Sequence, residues 1–257
     1  MPENDLTLLV EAAREAGEIA KRHWQQKPRS WNKPGHQGPV SEADLEIDAA
    51  LRSHLMAARP GYGWLSEESE DDPARLNADR VFIVDPLDGT RAFLNNDRSF
   101  AHSLAVAENG VVTAAAVLLP IPDKLYTATR GGGAALNGAA LQVSQQPVCE
   151  GASLLAAAPV MDSRNWIGTP PKVDRHLRPS LAYRLCLIAE GRFDALVTIR
   201  NSWEWDLAAG TLIIQEAGGT VTDRLDDALS FNALRPQAQG VIAANPTLHK
   251  EFAARLA

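Results

Sequence analysis

The stretch VFIVDPLDGTRAF at residues 81–93 constrains this chain more than any other part of its sequence. Its first four residues are β-branched or aromatic, which is typical of a buried strand. The proline that follows Asp85 cannot continue a central strand, and Gly89 permits a close approach of the backbone to a ligand. Two carboxylates and a hydroxyl, those of Asp85, Asp88 and Thr90, are therefore expected where a rigid strand stops. Such a group suits a divalent cation and a phosphate.

Two other interpretations of this segment stay open at this point. Asp, Pro and Gly are ordinary turn formers, so a plain turn explains the segment without any ligand. Aspartyl-phosphate phosphatases also end a strand in acids, with the pattern Asp-x-Asp-Gly-Thr. Their acids are two residues apart, whereas Asp85 and Asp88 are three apart, so the side chains would point differently.

Three further acidic elements lie elsewhere in the chain. Ser41 and Asp44 stand at the head of an amphipathic segment, where a helix capping box would explain both. Glu67 and Glu68 end a short apolar run, a position where paired acids are usually solvated. Asp206 opens a strongly helical run that ends in two glycines, so helix capping is its simplest role. Because two tryptophans flank Asp206, we expect it to be partly buried, and a buried carboxylate needs a cation or strong donors.

Taken together, these elements resemble the inositol monophosphatase superfamily of magnesium-dependent, lithium-sensitive phosphatases, and the resemblance covers nearly the whole chain. It rests on Glu67-Glu68-Ser69, Asp85-Pro86-Leu87-Asp88-Gly89-Thr90, Trp205-Asp206 through Glu216-Ala217-Gly218-Gly219, and a glycine-rich hairpin at Gly131-Gly132-Gly133-Ala134 and Asn137-Gly138. The resemblance implies an α+β fold, the layered αβαβα sandwich of that family. It also implies a single phosphatase domain over residues 1–257, with an N-terminal α+β half of about 1–146, a C-terminal α/β half of about 147–257, and an active site between them.

The resemblance further implies the parts of a two-metal site. Two cations roughly 3.5–4 Å apart can bind the attacking and leaving oxygens of a phosphate ester, and the absence of a His or Cys cluster favours Mg²⁺ over zinc. Following the family, two or three Mg²⁺ ions would be held by Glu67, Asp85, the carbonyl of Leu87, Asp88 and Asp206. The catalytic residues that orient a metal-activated water would be Thr90, Asp44 and Glu67, with Thr90 hydrogen-bonded to Asp44. Substrate contacts would come from Asp88, Gly89, Thr90, Arg184 and Asp206, and Arg200 is a further candidate because it lies shortly before Asp206.

Two departures from the inositol monophosphatase motif bear on the substrate. The family's Gly-Thr-Thr-Asn-Phe reads Gly-Thr-Arg-Ala-Phe here, with Arg91 third, and Ile199 replaces the glutamate that contacts inositol. The 3'(2'),5'-bisphosphate nucleotidases have basic residues like Arg91 and Arg184, and an arginine can bind a second phosphate bidentately. Surface salt bridges would explain both arginines equally well.

We therefore expect a magnesium-dependent phosphomonoesterase, with a preference for 3'(2'),5'-bisphosphate nucleotidase activity, which converts adenosine 3',5'-bisphosphate to AMP and phosphate. An inositol-1-monophosphatase or a broad-specificity sugar phosphatase is the alternative. A noncatalytic metal-dependent binding module is less favoured, because it would predict damage to the acidic set.

Composition limits the partners. The net charge of −7 argues against a nucleic-acid polymer or a membrane and leaves a small phosphorylated metabolite as the expected partner. The chain has only two cysteines, no basic leader within Met1–Val10 and no apolar run of about 20 residues, so we expect a cytoplasmic protein. A homodimer could form through the apolar hairpin around Val111–Leu119, although burial inside the monomer explains that hairpin equally well.

Periodicity and turn residues predict the remaining elements. Helices are expected at Leu6–Trp24, Ser180–Glu190 and Thr247–Leu256, and strands at Ser99–Glu108, Val111–Leu119, Lys124–Thr129, Gly133–Leu136, Ser153–Ala158, Phe193–Ile199 and Val241–Ala244. Asn109-Gly110 is a strong hairpin signal between the first two strands. The Pro- and Gly-rich segment Lys27–Pro39 is expected to be either a connecting loop or a mobile lid over the metal site, with Lys33 able to approach a phosphate.

Overall fold

The structure is a computed structural model that describes residues 4–34 and 38–257. Within these ranges the helices are α1 (Asp5–His23), α2 (Glu42–Ala58), α3 (Thr90–Leu94), α4 (Leu181–Ala189), α5 (Glu204–Glu216) and α6 (Pro246–Arg255). Local polar residues set several of the helix starts. The side chain of Asn4 accepts the Thr7 N–H at the start of α1, and Ser41 forms the predicted capping box with Asp44 at the start of α2.

The strands in the first part of the chain are β1 (Ser30–Asn32), β2 (Pro39–Ser41), β3 (Gly63–Ser66), β4 (Arg80–Asp88), β5 (Ala101–Glu108), β6 (Val111–Leu119), β7 (Lys124–Thr129), β8 (Gly133–Leu136) and β9 (Ala139–Ala140). Those in the second part are β10 (Ser153–Leu155), β11 (Asp174–His176), β12 (Ala195–Thr198), β13 (Ser202–Trp203), β14 (Thr220–Thr222), β15 (Gln237–Ala238) and β16 (Val241–Ala244).

Two large sheets contain most of these strands. The first has the order β3-β4-β5-β6-β7-β8-β9, and only its β3–β4 pair is parallel. The second has the order β11-β10-β12-β16-β14, with β10 parallel to both of its neighbours and the β16 pairs antiparallel. Asn109 and Gly110 both have positive φ between β5 and β6, which confirms the predicted hairpin turn.

The side-chain alternation of these strands explains the five layers. On β4, Phe82 and Val84 pack against α1 and α2, whereas Val81 and Ile83 face the core that contains α4 and α5. That central core also includes one face of the second sheet, and the opposite face packs against α6. The order of layers is therefore helix, sheet, helix, sheet, helix, which confirms the predicted αβαβα sandwich. The division into halves at about residue 146 stays a prediction.

Most predicted elements are present with ends shifted by one or two residues. The segment Lys27–Pro39 differs more, because it contributes β1 and the start of β2, which pair as a small antiparallel hairpin. The prediction of a lid falls partly on residues 35–37, which lie outside the described residues. The predicted strand Ser153–Ala158 ends at Leu155, and a short 3₁₀ helix begins at Ala158.

The apolar hairpin considered for a dimer interface is built into the monomer. Strand β6 pairs with β5 on one side and β7 on the other, and most of its residues are buried. Among the residues described, no helix combines the length and the apolar character that crossing a membrane would require.

Candidate active site

The site begins where β4 loses its regular pairing with β5. Asp85 pairs with Ser103, but the register shifts before Asp88 pairs with Ala101. Gly89 follows with φ of +101°, and a Cβ there would lie 3.2 Å from the carbonyl oxygen of Ser99. This backbone turn requires glycine, and it takes the chain directly from the strand into α3.

Three carboxylates meet at this turn. Oxygen atoms of Asp85, Asp88 and Asp206 all lie within 4.8 Å of one another. Asp206 comes from the first turn of α5, and the hydroxyl of Ser103 on β5 donates to the carbonyl oxygen of Trp205 at 3.0 Å. The contact from the sheet to α5 therefore holds Asp206 next to the two acids of β4, although 118 residues of sequence separate it from Asp88.

The clustered acids have unequal sets of donors. Asp88 Oδ2 accepts hydrogen bonds from the Ser180 hydroxyl at 2.7 Å and from the Ala182 N–H at 2.6 Å. Asp85 Oδ1 accepts the Leu87 N–H at 2.9 Å, whereas its buried Oδ2 has no hydrogen-bond donor among the described residues. An orphaned carboxylate oxygen in a cluster of acids is a costly arrangement unless a cation binds there.

The raised pKa values of these acids reflect the same unfavourable burial of negative charge. Burial, together with the neighbouring carboxylates, raises the pKa of Asp85 and of Asp206 well above the ordinary aspartate value. Burial raises the pKa of Asp88 to about 6, although Ser180 and Ala182 favour its ionised form. The residues thus fit a hard divalent cation, which would stabilise all three acids as carboxylates.

Glu67 lies in the same cavity but outside this cluster. Lys33, between β1 and β2, places its ammonium 2.8 Å from Glu67 Oε1 and 2.7 Å from Glu68 Oε1. Burial opposes the charge on Lys33, but the two glutamates raise its pKa overall. Burial and the charge of Glu67 raise the pKa of Glu68 to about 7.

Thr90 and Asp44 form a separate buried pair next to the cluster. The Thr90 hydroxyl donates to Asp44 Oδ1 at 2.9 Å, and the carbonyl of Leu87 lies 3.3 Å away. Asp44 Oδ2 accepts both the N–H of Ser41, at 2.9 Å, and its hydroxyl, at 2.5 Å. Burial raises the pKa of Asp44, while the hydrogen bonds from Ser41 and Thr90 oppose that rise. This network fixes the direction of the Thr90 hydroxyl.

The three clustered acids, Glu67, Thr90 and Lys33 border one open cavity of about 470 Å³. Among the predicted site residues, its lining includes Glu67, Asp85, Leu87, Asp88, Gly89, Thr90, Arg200 and Asp206. Arg91 also lines it, and Asp44 lies behind Thr90. Arg184 is not among the lining residues: its Nε donates to the Ser180 carbonyl at 3.3 Å, and its charge acts on Asp88 and Asp206.

Sequence reasoning missed two groups that hold this site. Ser180 caps α4 and binds Asp88 across 92 residues of sequence, a contact with no local signal. Asp48 accepts hydrogen bonds from Ser66 and Ser69, each at 2.5 Å, on either side of the Glu67-Glu68 pair. The signal for Asp48 was its place four residues after Asp44, on the same face of α2.

Comparison with known proteins agrees with this geometry. The sequence model of the inositol monophosphatase family matches residues 1–257. The chain belongs to the inositol monophosphatase family. An inositol-1-monophosphatase of Rhizobium meliloti (strain 1021) is 37% identical over 229 residues, which cover 85% of this chain and 85% of that protein. The Nus factor SuhB of Pseudomonas aeruginosa (strain PAO1) is 35% identical over 232 residues, which cover 85% and 84%.

A solved structure has the same fold. The crystal structure of the extragenic suppressor protein suhB from Bartonella henselae matches with a TM-score of 0.83 at 32% identity and covers 96% of each chain. Family membership confirms that the chain is a phosphatase of the hydrolase class, in a metal-dependent family that acts on small phosphorylated substrates. The predicted family is confirmed, but no comparison specifically supports the bisphosphate nucleotidase branch, and the relatives fit the inositol monophosphatase alternative better.

Proposed function

We propose that this chain is a Mg²⁺-dependent phosphomonoesterase for small phosphorylated metabolites, including inositol 1-phosphate. The observation that carries the proposal is the cluster of Asp85, Asp88 and Asp206, in which a buried carboxylate oxygen has no donor. These three acids, Glu67 and the carbonyl of Leu87 would hold the cations. Bound Mg²⁺ supplies Lewis-acid stabilisation of the phosphate charge and makes a coordinated water more acidic.

Several side chains then have definable roles. Because Thr90 donates its only hydroxyl proton to Asp44, its oxygen is left to accept a hydrogen bond from a water molecule in the cavity. Asp44 is kept in place by Ser41, so it acts on the water through Thr90. Lys33 already contacts one oxygen of Glu67 and leaves the other for a cation. The exposed Arg91 and Arg200 offer positive charge to an anionic ester at the cavity opening.

The name of the Rhizobium relative favours inositol 1-phosphate as the first substrate to test. Bisphosphate nucleotidase activity is the second candidate, and the observation in its favour is that Arg91 and Arg200 both border the cavity. Arg184 adds no support, because it does not line that cavity. In the inositol monophosphatases a glutamate at the position of Ile199 contacts inositol. Here Ile199 packs against a separate apolar core and offers no such contact, which also favours the second candidate.

A phosphate-release panel tests the function. The substrates are inositol 1-phosphate, adenosine 3',5'-bisphosphate, fructose 1,6-bisphosphate and histidinol phosphate, each with Mg²⁺ and with added Li⁺. We expect Mg²⁺-dependent release that Li⁺ inhibits, with inositol 1-phosphate among the substrates. A marked preference for adenosine 3',5'-bisphosphate would instead support the nucleotidase candidate. No release from any ester would contradict the proposal and favour a binding module.

A further inference from the structure

One wall of the cavity is aromatic. The rings of Trp203 and Trp205 are stacked, with centroids 4.7 Å apart and planes inclined by 10°, and both residues line the cavity with Asp206. Trp205 is buried, whereas Trp203 is only partly buried. Trp205 therefore covers one side of the Trp203 ring, while part of Trp203 stays accessible at the cavity.

The backbone holds this wall in place. Trp203 lies on β13, which pairs with β15, and it is also the residue immediately before α5. The next residue, Glu204, is buried and accepts the N–H groups of Asn232 at 2.6 Å and Ala233 at 3.0 Å. These contacts hold the two tryptophans in place before a ligand binds, so binding should cost little conformational entropy in this wall.

Apart from Thr90 and the acids assigned to the cations, the polar side chains that line the cavity are donors. Apart from Glu67 and the clustered aspartates, the described residues that line the cavity include no acid, whereas Arg91 and Arg200 supply guanidinium groups. Ile199 packs elsewhere. A polyol presents many hydroxyls that need acceptors as well as donors, and this wall offers few acceptors. A flat ring gains more, because it can stack on an indole face.

We propose that Trp203 is a specificity-determining residue that selects phosphate monoesters whose alcohol portion carries a planar aromatic ring. The inference rests on the proposed function, because the ester must bind with its phosphate at the acids next to this wall. It goes further in naming the chemistry of the leaving group and the side chain that recognises it.

The test compares three esters of alkyl alcohols: benzyl phosphate, cyclohexylmethyl phosphate and the ring-free glycerol 2-phosphate. We expect the wild-type protein to prefer benzyl phosphate over both. In Trp203→Ala, the ratio of kcat/KM for benzyl phosphate to that for glycerol 2-phosphate should fall about tenfold to hundredfold, as stacking contacts do on alanine substitution. Trp203→Phe keeps an aromatic face and should retain most of the ratio.

An unchanged ratio in Trp203→Ala would overturn the inference, as would equal rates for benzyl and cyclohexylmethyl phosphate in the wild-type protein. Binding of the non-hydrolysable benzylphosphonate and methylphosphonate, measured by calorimetry with Mg²⁺, separates this inference from the proposed function. If no ester is hydrolysed, the proposed function fails, yet a preference for benzylphosphonate that Trp203→Ala removes would still support the aromatic wall. Equal binding of the two phosphonates would overturn it.

Discussion

The floor of the cavity is made of buried acids with fixed directions, whereas its rim is made of exposed side chains on short segments. Asp85 and Asp88 are 1% and 8% exposed, and hydrogen bonds from Leu87 near the end of β4 and from Ala182 of α4 hold them. Arg91 and Arg200 are exposed at the rim. The floor carries the acids that the family shares, whereas Arg91 at the rim is a departure from the family's motif.

This difference separates chemistry from substrate choice. Buried carboxylates can only be kept together if the fold holds them and a cation compensates their charge. Few sequences meet both requirements at the floor of the cavity. Exposed side chains at the rim cost the fold little to change. A match over the whole chain therefore establishes the phosphatase class more firmly than it establishes the leaving group. The following predictions test whether the floor controls kcat and the rim controls selectivity.

The largest expected effect is at the floor. Asp88→Asn should lower kcat about a thousandfold or more, because a cation held there contributes several kcal/mol and each 1.4 kcal/mol is tenfold in rate. The amide oxygen can still accept from Ser180 and Ala182, so circular dichroism and thermal unfolding should show an intact fold. A kcat near that of the wild type would remove Asp88 from the site.

Thr90→Ala tests the orientation of the water. We expect kcat to fall about a hundredfold or more while KM changes little, since the Thr90 oxygen acts on the reacting water and not on substrate binding. Steady-state kinetics with saturating Mg²⁺ measure both constants. Thr90→Ser retains a hydroxyl that can reach Asp44 and should recover most of the rate; a serine variant as slow as the alanine one would contradict this role.

Asp48→Asn tests whether the hydrogen bonds that Asp48 accepts from Ser66 and Ser69 keep Glu67 in position. One of the two hydrogen bonds to Ser66 and Ser69 should be lost, and the Mg²⁺ concentration for half-maximal activity should rise about tenfold to hundredfold. Glu46→Gln is the matched control, because Glu46 lies on the same helix but pairs with Arg22 at the surface. Equal effects of the two substitutions would show that Asp48 has no special role.

The smallest expected effect is at the rim. Arg200→Ala should raise KM for adenosine 3',5'-bisphosphate by about tenfold, as loss of one hydrogen bond to a charged group does, and leave kcat nearly unchanged. KM for inositol 1-phosphate should rise less, because that ester has one phosphate. If Arg200→Ala lowered kcat as much as Thr90→Ala does, the separation between floor and rim would be wrong.

Sequence patterns predicted the fold well wherever the signal was local. The Asn109-Gly110 turn and the continuous apolar run of β4 determine neighbouring elements directly, and helix ends were found within a residue or two. The strand β1 was missed because it has only three residues, all exposed, in a segment rich in proline and glycine. Short exposed strands carry no apolar period.

The candidate site divides in the same way. The acids could be selected because each stands at the end of a strand or the start of a helix. Their partners could not be selected, because contacts such as Ser180 to Asp88 depend on how distant elements pack. Arg184 illustrates the limit: its spacing placed it on α4, but only the packing of α4 shows that it lies away from the cavity lining.

The most direct test is to locate the cations themselves. Crystals grown with Mn²⁺ in place of Mg²⁺ should show anomalous scattering peaks among Asp85, Asp88 and Asp206, and a crystal of Asp85→Asn should lose at least one of these peaks. Peaks only at surface carboxylates, or a cluster that stays free of metal at millimolar Mn²⁺, would contradict the claim that these acids form a hard-cation site.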